Sequence, residues 1–305
     1  MTEVDFSSLK IDKENDIVSY NDEIHAYWVK STQMFCTSVT QLIHRYTTFD
    51  EEFWAAYKTI EALLSIDDFL KVKSLLLDTK KFKLEYLELF RISEKEFFDK
   101  KNEILAEWAE KRETSCIRGT AIHREQELLA LAGKSPEIQR LGLGGNFKTT
   151  TTNKIEPGQG IYPELLLSRI SDDGKLRLAG QADLIIIDGW DVYVLDFKTN
   201  KKIDLKSFYD RKLKKSQKLK YPLNNIDDAN FWHYTLQLST YAWMIQKIDP
   251  RFNIKLLQLI HYDHDGNVTE YECEYRKQDV ERMLVHYKKE IEYEEFKKSR
   301  EKINF

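Results

Sequence analysis

No stretch of 18 consecutive apolar residues occurs in the 305-residue chain, so no segment reads as a membrane-spanning helix. The N-terminus, MTEVDFSSLKIDKEND, lacks the apolar centre of a secretory leader. The three cysteines, Cys36, Cys116 and Cys273, are odd in number and far apart. They build neither a disulfide framework nor a Cys-x-x-Cys metal site, and a reducing cytoplasm is expected. No Gly-x-x-x-x-Gly-Lys-Ser/Thr loop is present, which excludes an ATP-driven motor of that type; GLGG at Gly142–Gly145 lacks the required ending. Internal repeats are absent, and a net charge of −4 excludes a chain coated in positive charge.

What is present is enough apolar material for a core: 42% hydrophobic and 12% aromatic residues. Residues 1–14 are polar and expected to fray. Ile17–Tyr20 and Ile24–Val29 alternate around Asn21-Asp22 as a small hairpin would. Thr37 or Ser38 can cap a short helix through Tyr46. Further helices are expected over Asp50–Leu64, Asp67–Leu77, Ser93 to about Lys111 behind a Ser93/Glu96 capping box, and Gly119–Leu131 with Gly133 as its C-cap. The Gly/Thr-rich stretch that follows reads as the least ordered interior segment. The expected division is a mainly helical N-terminal region with one small hairpin, residues 1–114, followed by an α/β core, residues 115–305. In the core, a helix from about Ala229 to Lys247 precedes strands Ile254–Tyr262 and Val268–Tyr275 and a charged terminal helix.

The chain is organised around Tyr162–Lys198, read as three antiparallel strands with tight loops at Asp173-Gly174 and Gly189-Trp190. If Asp172 faces Lys175 and Asp188 faces Asp191, then Glu164 falls opposite Asp183, and Asp183 opposite Asp196. Side chains alternate along a strand, so Lys198 shares the face of Asp196. Directly opposed side chains have Cβ atoms about 4.5–5.5 Å apart, where like charges repel. A divalent cation with oxygen ligands would offset that repulsion. With a longer loop the register slips and the acids face solvent separately. A carboxylate row beside a lysine suits metal-assisted phosphodiester hydrolysis, with His123 as an additional nitrogen ligand that admits Mn²⁺ as well as Mg²⁺. From Lys198 to Lys220, ten Lys/Arg stand against two Asp, including Lys201, Lys202, Arg211, Lys212, Lys214 and Lys215. Such a run is by default a solvated face; Phe208, Tyr209 and Tyr221 among the charges favour nucleic acid.

These residues resemble the RecB-like nucleases of the PD-(D/E)XK superfamily, a group that includes the mitochondrial genome maintenance exonuclease and related phage and viral exonucleases. GTAIHREQE is similar to the family's G-T-x-h-H-x-x-x-E helix, GQADLIII to its G-x-x-D strand, VLDFKT to its h-D-h-K-T strand and LQLSTYAWMI to its Q-x-x-x-Y helix. Each motif is short, but all four occur in the family's order, between Ile117 and about Ile245. The resemblance implies a restriction-endonuclease-like mixed sheet flanked by helices. It implies His123, Asp183 and Asp196 as metal ligands, Lys198 as the catalytic lysine and Glu164 as an extra acid. Ser38–Thr40 is a fainter echo. Three scattered cysteines cannot hold the iron–sulfur cluster of some branches, and without a helicase domain the chain would act alone or borrow a motor.

Each of these residues has a plainer reading as well. His123 could be a packed helix histidine, Gln237 and Tyr241 an ordinary i, i+4 pair, and Glu127 a solvated acid. The functional reading gives Gln237 and Tyr241 the task of orienting Lys198 or touching DNA, and sets Glu127 and Thr199 behind the ligands. Together these readings describe a DNA exonuclease using one or two Mg²⁺ or Mn²⁺ ions on single-stranded ends or flaps. Its setting would be replication, recombination or repair, beside a partner protein or in a phage host's cytoplasm. The alternatives are a structure-specific endonuclease and a DNA-binding module that keeps the fold without hydrolysis.

Overall fold

The computed structural model describes residues 9–79, 81–210 and 214–303. Strands come first. β1 (Lys13–Glu14), β2 (Val18–Asn21), β3 (Ala26–Val29) and β4 (Met34–Phe35) form an antiparallel sheet in that order. The beginning of the chain is therefore not helical. Asn15 makes the first turn, its side-chain oxygen accepting from the backbone N–H groups of Ile17 and Val18, each at 2.8 Å. β5 (Thr37–Ser38) leads into α1 (Val39–His44), which is closed by a Ser38/Gln41 capping box. Helices α2 (Glu51–Leu63, capped by Asp50), α3 (Ile66–Thr79), α4 (Glu85–Phe90), α5 (Glu94–Leu131) and α6 (Pro136–Arg140) follow.

α5 is one helix of 38 residues where the pattern suggested two. Nothing between Lys111 and Gly119 stops it: no proline intervenes, and the Thr114 hydroxyl donates to Glu110 O at 3.0 Å inside the turn. It ends as expected at Gly133, in the left-handed conformation, with Lys134 N–H bonded to Leu129 O and Gly133 N–H to Ala130 O.

β6 (Lys148–Thr149) lies within the Gly/Thr-rich stretch, and Thr149 donates to Ala130 O at 2.6 Å, so part of that stretch is fixed structure. Next come β7 (Gly158–Ile170), β8 (Arg177–Gly189), β9 (Asp191–Lys198), β10 (Tyr209–Asp210), β11 (Lys215–Ser216), α7 (Asn230–Ile248), β12 (Asn253–Tyr262), β13 (Val268–Cys273) and α8 (Lys277–Ile303). β10 and β11 pair with each other. The large sheet runs β13-β12-β9-β8-β7-β6, with β5 also on β8. It is mixed: β9 pairs parallel with β12, joined through α7 as a parallel connection requires. The chain is thus an α/β protein with a mixed sheet flanked by helices.

At β8 and β9 both faces of the sheet are buried, and their residues divide between them by alternation. Ile185, Ile187, Val192 and Val194 pack with Leu238, Ala242 and Ile245 of α7. Leu184, Ile186 and Leu195 pack with Ala130 of α5 and Ile260 of β12. Contacts divide the chain into two compact units, residues 1–48 with 119–305, and residues 49–118. This differs from the expected boundary at 114: the first strands belong to the large-sheet unit. The 49–118 unit has its own core, with Phe53, Ile60, Leu76, Leu87 and Phe97. No helix among the described residues is long and apolar enough to cross a membrane.

Candidate metal and nuclease site

The expected hairpin register holds. β7 pairs with β8 from Gly158↔Gly189 to Ile170↔Arg177, and β8 with β9 from Leu184↔Leu195 to Asp188↔Asp191. The carboxylates sit where the second ladder ends and where the first is interrupted. The β8–β9 ladder ends at Leu184, and the Asp183 side chain takes over, accepting the Phe197 backbone N–H at 2.7 Å. Between Pro163↔Leu184 and Leu165↔Ala182 the β7 ladder skips Glu164, whose φ of 48° is left-handed. Glu164 is therefore not a regular cross-strand partner of Asp183, although the registration of the strands is the expected one. The kink swings its carboxylate toward α5, with Oε1 3.9 Å from His123 Nδ1, and Gln181 Nε2 donates to Oε2 at 2.9 Å. His123 Nδ1 also lies 3.4 Å from Asp183 Oδ2. One ligand atom each from His123, Glu164 and Asp183 fall within 4.8 Å of one another.

Asp196, on β9, is not among the three that meet, although its charge acts on His123 and Asp183. It is 1% exposed and ion-paired with Lys198, and its Oδ1 accepts no hydrogen bond. Lys198 Nζ lies 4.6 Å from the centre of the Tyr234 ring and 3.5 Å from Gln237 Oε1. Gln237 in turn donates to the Tyr241 hydroxyl at 3.4 Å. The two α7 residues thus orient Lys198. Tyr241 is 2% exposed, so of the two expected roles direct DNA contact is closed to it. Its ring is admitted by Gly180, where a Cβ would lie 2.9 Å from Tyr241 Cε1. Gly119 serves α5 in the same way: a Cβ there would lie 3.2 Å from Thr199 Oγ1. Thr199 is accordingly a packing neighbour of the helix that carries His123.

Charge and burial set the protonation of the group. Burial alone would lower the His123 pKa, but the Asp183 carboxylate beside it raises it to about 11. Burial opposes ionisation of Asp183, yet the His123 charge holds its pKa below the usual value. Asp196 is pushed up to about 6 by burial and then by the Asp183 charge. Lys198 is raised despite burial, because Asp196 and Asp183 face it. One nitrogen and several carboxylate oxygens, with a buried oxygen lacking a donor, fit a hard divalent cation such as Mg²⁺ or Mn²⁺.

Glu127 pairs with Arg124 at 2.6 Å and lies 3.7 Å from Lys13 Nζ. Lys13, from the stretch expected to fray, also reaches to 4.0 Å from Glu164 Oε2. Lys13, Gln181 and Tyr234 were given no role by the pattern. Gln181 lies two residues before Asp183 on the same strand face, and Tyr234 one turn before Gln237, so alternation and helical spacing carried a signal for both. No local signal marks Lys13. Lys201, Lys202, Lys214 and Lys215 are exposed, while Arg211 and Lys212 lie outside the described residues.

No protein-family model matches the chain, and no curated protein matches it in sequence. Among solved structures, the one described as "Crystal structure of SSO0001" is 18% identical, with a TM-score of 0.28, over 59% of this chain and 67% of that one. A likeness of that size carries no argument about activity.

Proposed function

We propose that the chain is a metal-dependent nuclease that hydrolyses DNA phosphodiester bonds, acting as an exonuclease on single-stranded ends or flaps in a cytoplasmic setting. The observation that carries this is the meeting of His123, Glu164 and Asp183, with the Asp196–Lys198 ion pair on the strand next to that of Asp183. His123, Asp183, Asp196 and Glu164 would hold one or two Mg²⁺ or Mn²⁺ ions. A bound ion supplies polarisation of a phosphoryl oxygen and acidification of bound water.

Lys198 keeps its proton, since its pKa is raised by two acids, so it does not serve as a base. Its fixed ammonium instead steadies the negative charge that develops on the phosphate. Gln237 and the Tyr234 ring hold that ammonium in place. The exposed lysines after Thr199 (Lys201, Lys202, Lys214 and Lys215) would meet the backbone of the strand, with Arg211 and Lys212 assigned there from sequence alone.

End-labelled single-stranded, double-stranded and flapped DNA, incubated with Mg²⁺, Mn²⁺ or EDTA, tests the proposal. Cleavage that needs the metal and spares closed circles is expected. Cutting of closed circles makes the protein an endonuclease, and binding without cleavage makes it a DNA-binding module.

A further inference from the structure

A cavity of about 300 Å³ opens beside Glu164, between β1, the C-terminal end of α5 and the loop at residues 150–153. That volume lies at the small end of ligand sites, which span about 300–1,000 Å³, so it suits one nucleotide unit rather than a length of strand. Glu164 belongs both to this cavity and to the candidate metal group. An occupant therefore sits next to the reacting centre. We infer that this cavity is an end pocket, which takes the unphosphorylated terminal nucleoside of a DNA strand and disfavours a terminal phosphate. The reading of the occupant as DNA rests on the nuclease proposal above.

The lining supports a neutral, hydrogen-bonding end group. Asp12, Glu14, Glu127 and Glu164 present carboxylates to it, and Lys13 is its one cationic lining residue. The outer acids have partners, Lys10 for Asp12, Lys30 for Glu14 and Arg124 for Glu127. None of those three cations lines the cavity. The surface met by an occupant is therefore acidic, and a terminal phosphate dianion adds repulsion there. The same acids accept from sugar hydroxyls and base amino groups. Leu131 and Pro163 give an apolar wall for a base or sugar face. Lys13, suspended between Glu127 and Glu164 at 3.7 and 4.0 Å, offsets the repulsion between these acids.

The test uses the full chain and short fluorescent single strands bearing hydroxyl or phosphate at either end in every combination. Anisotropy in EDTA reads binding without hydrolysis. Phosphate at one particular end is expected to weaken binding by about tenfold or more, and phosphate at the other end to change little. Thr151→Trp, at an exposed loop position where folding is not at stake, should fill the cavity and abolish the difference between ends. Lys13→Gln should widen it. Equal binding of all four strands, or tighter binding of a phosphorylated end, overturns the inference. A parallel cleavage assay in Mn²⁺ separates the two proposals. If ends are discriminated in EDTA but nothing is cut in Mn²⁺, the end pocket stands and the nuclease reading falls. If strands are cut at equal rates whatever their ends, the nuclease reading stands and the pocket falls.

Discussion

The β8–β9 hairpin has two halves built on opposite terms. From Leu184 to Asp188, paired with Asp191 to Leu195, it is a regular ladder whose central side chains, Ile185, Ile186, Val192 and Val194, are fully buried. From Gln181 to Asp183 and Asp196 to Lys198, the same two strands carry charges in a nearly dry setting, and an acid side chain replaces a ladder bond. The first half stabilises. The second half places like charges together, which costs stability unless a cation joins them. The contrast separates the part that holds the molecule together from the part where the proposed cation site lies.

The largest effect expected from testing that contrast is in the apolar half. Ile185→Ala, at a position with 0% exposure, should destabilise the fold by about 2–5 kcal/mol in denaturant unfolding. Lys198→Ala, in the charged half, should do the reverse: near-normal folding and DNA binding, with cleavage slowed by about a hundredfold or more. If that variant cuts like the wild type, the charged half has no catalytic role.

A smaller effect is expected from pH. Asp196 titrates near 6 and His123 near 11, and both must give up their protons to serve as ligands. The His123 proton already competes with Mn²⁺ above pH 6, and lowering pH through about 6 adds a second one on Asp196, so affinity measured by calorimetry should fall by up to about a further tenfold per pH unit below that point. An affinity independent of pH from 7.5 down to 5 would remove both residues from the ligand set.

The smallest effect sharpens the boundary between the halves. Glu164 has φ 48°, a conformation that costs a non-glycine residue about 1–3 kcal/mol. Glu164→Gly should therefore leave the melting temperature close to wild type, since relieved strain offsets added freedom of the unfolded chain. Glu164→Val should lower it. Both should weaken Mn²⁺ binding.

Much of the charged half was legible because hairpins translate sequence spacing into position. Two tight loops determine which residues of three strands lie level, so spacing alone places Asp183, Asp196 and Lys198. Glu164 was level but not regular, because a backbone kink leaves no mark in an acid's identity. Gly119 and Gly180 were legible as motif letters, but the need for them lies in the close approach of Thr199 and Tyr241, which only packing reveals. Lys13 was invisible for a simpler reason. Its partners stand more than a hundred positions away, and polar composition alone suggested a loose end. The helix break expected after Lys111 failed because a run of polar residues without proline can stay helical.

Among the first strands, β5 joins the large sheet, whose other members are made much later, and the turn after β1 bonds to one of them. Asn15 bonds to Leu166 across 151 positions, and Thr37–Ser38 lie alongside Leu178–Ala179. During synthesis these early segments leave the ribosome long before their partners exist, and such distant pairings form slowly. Residues 49–118, whose apolar cluster is drawn from within that span, have no such wait. The nascent chain thus matures from its middle outward, and a fragment beginning at residue 115 would emerge without the strand that completes its own sheet.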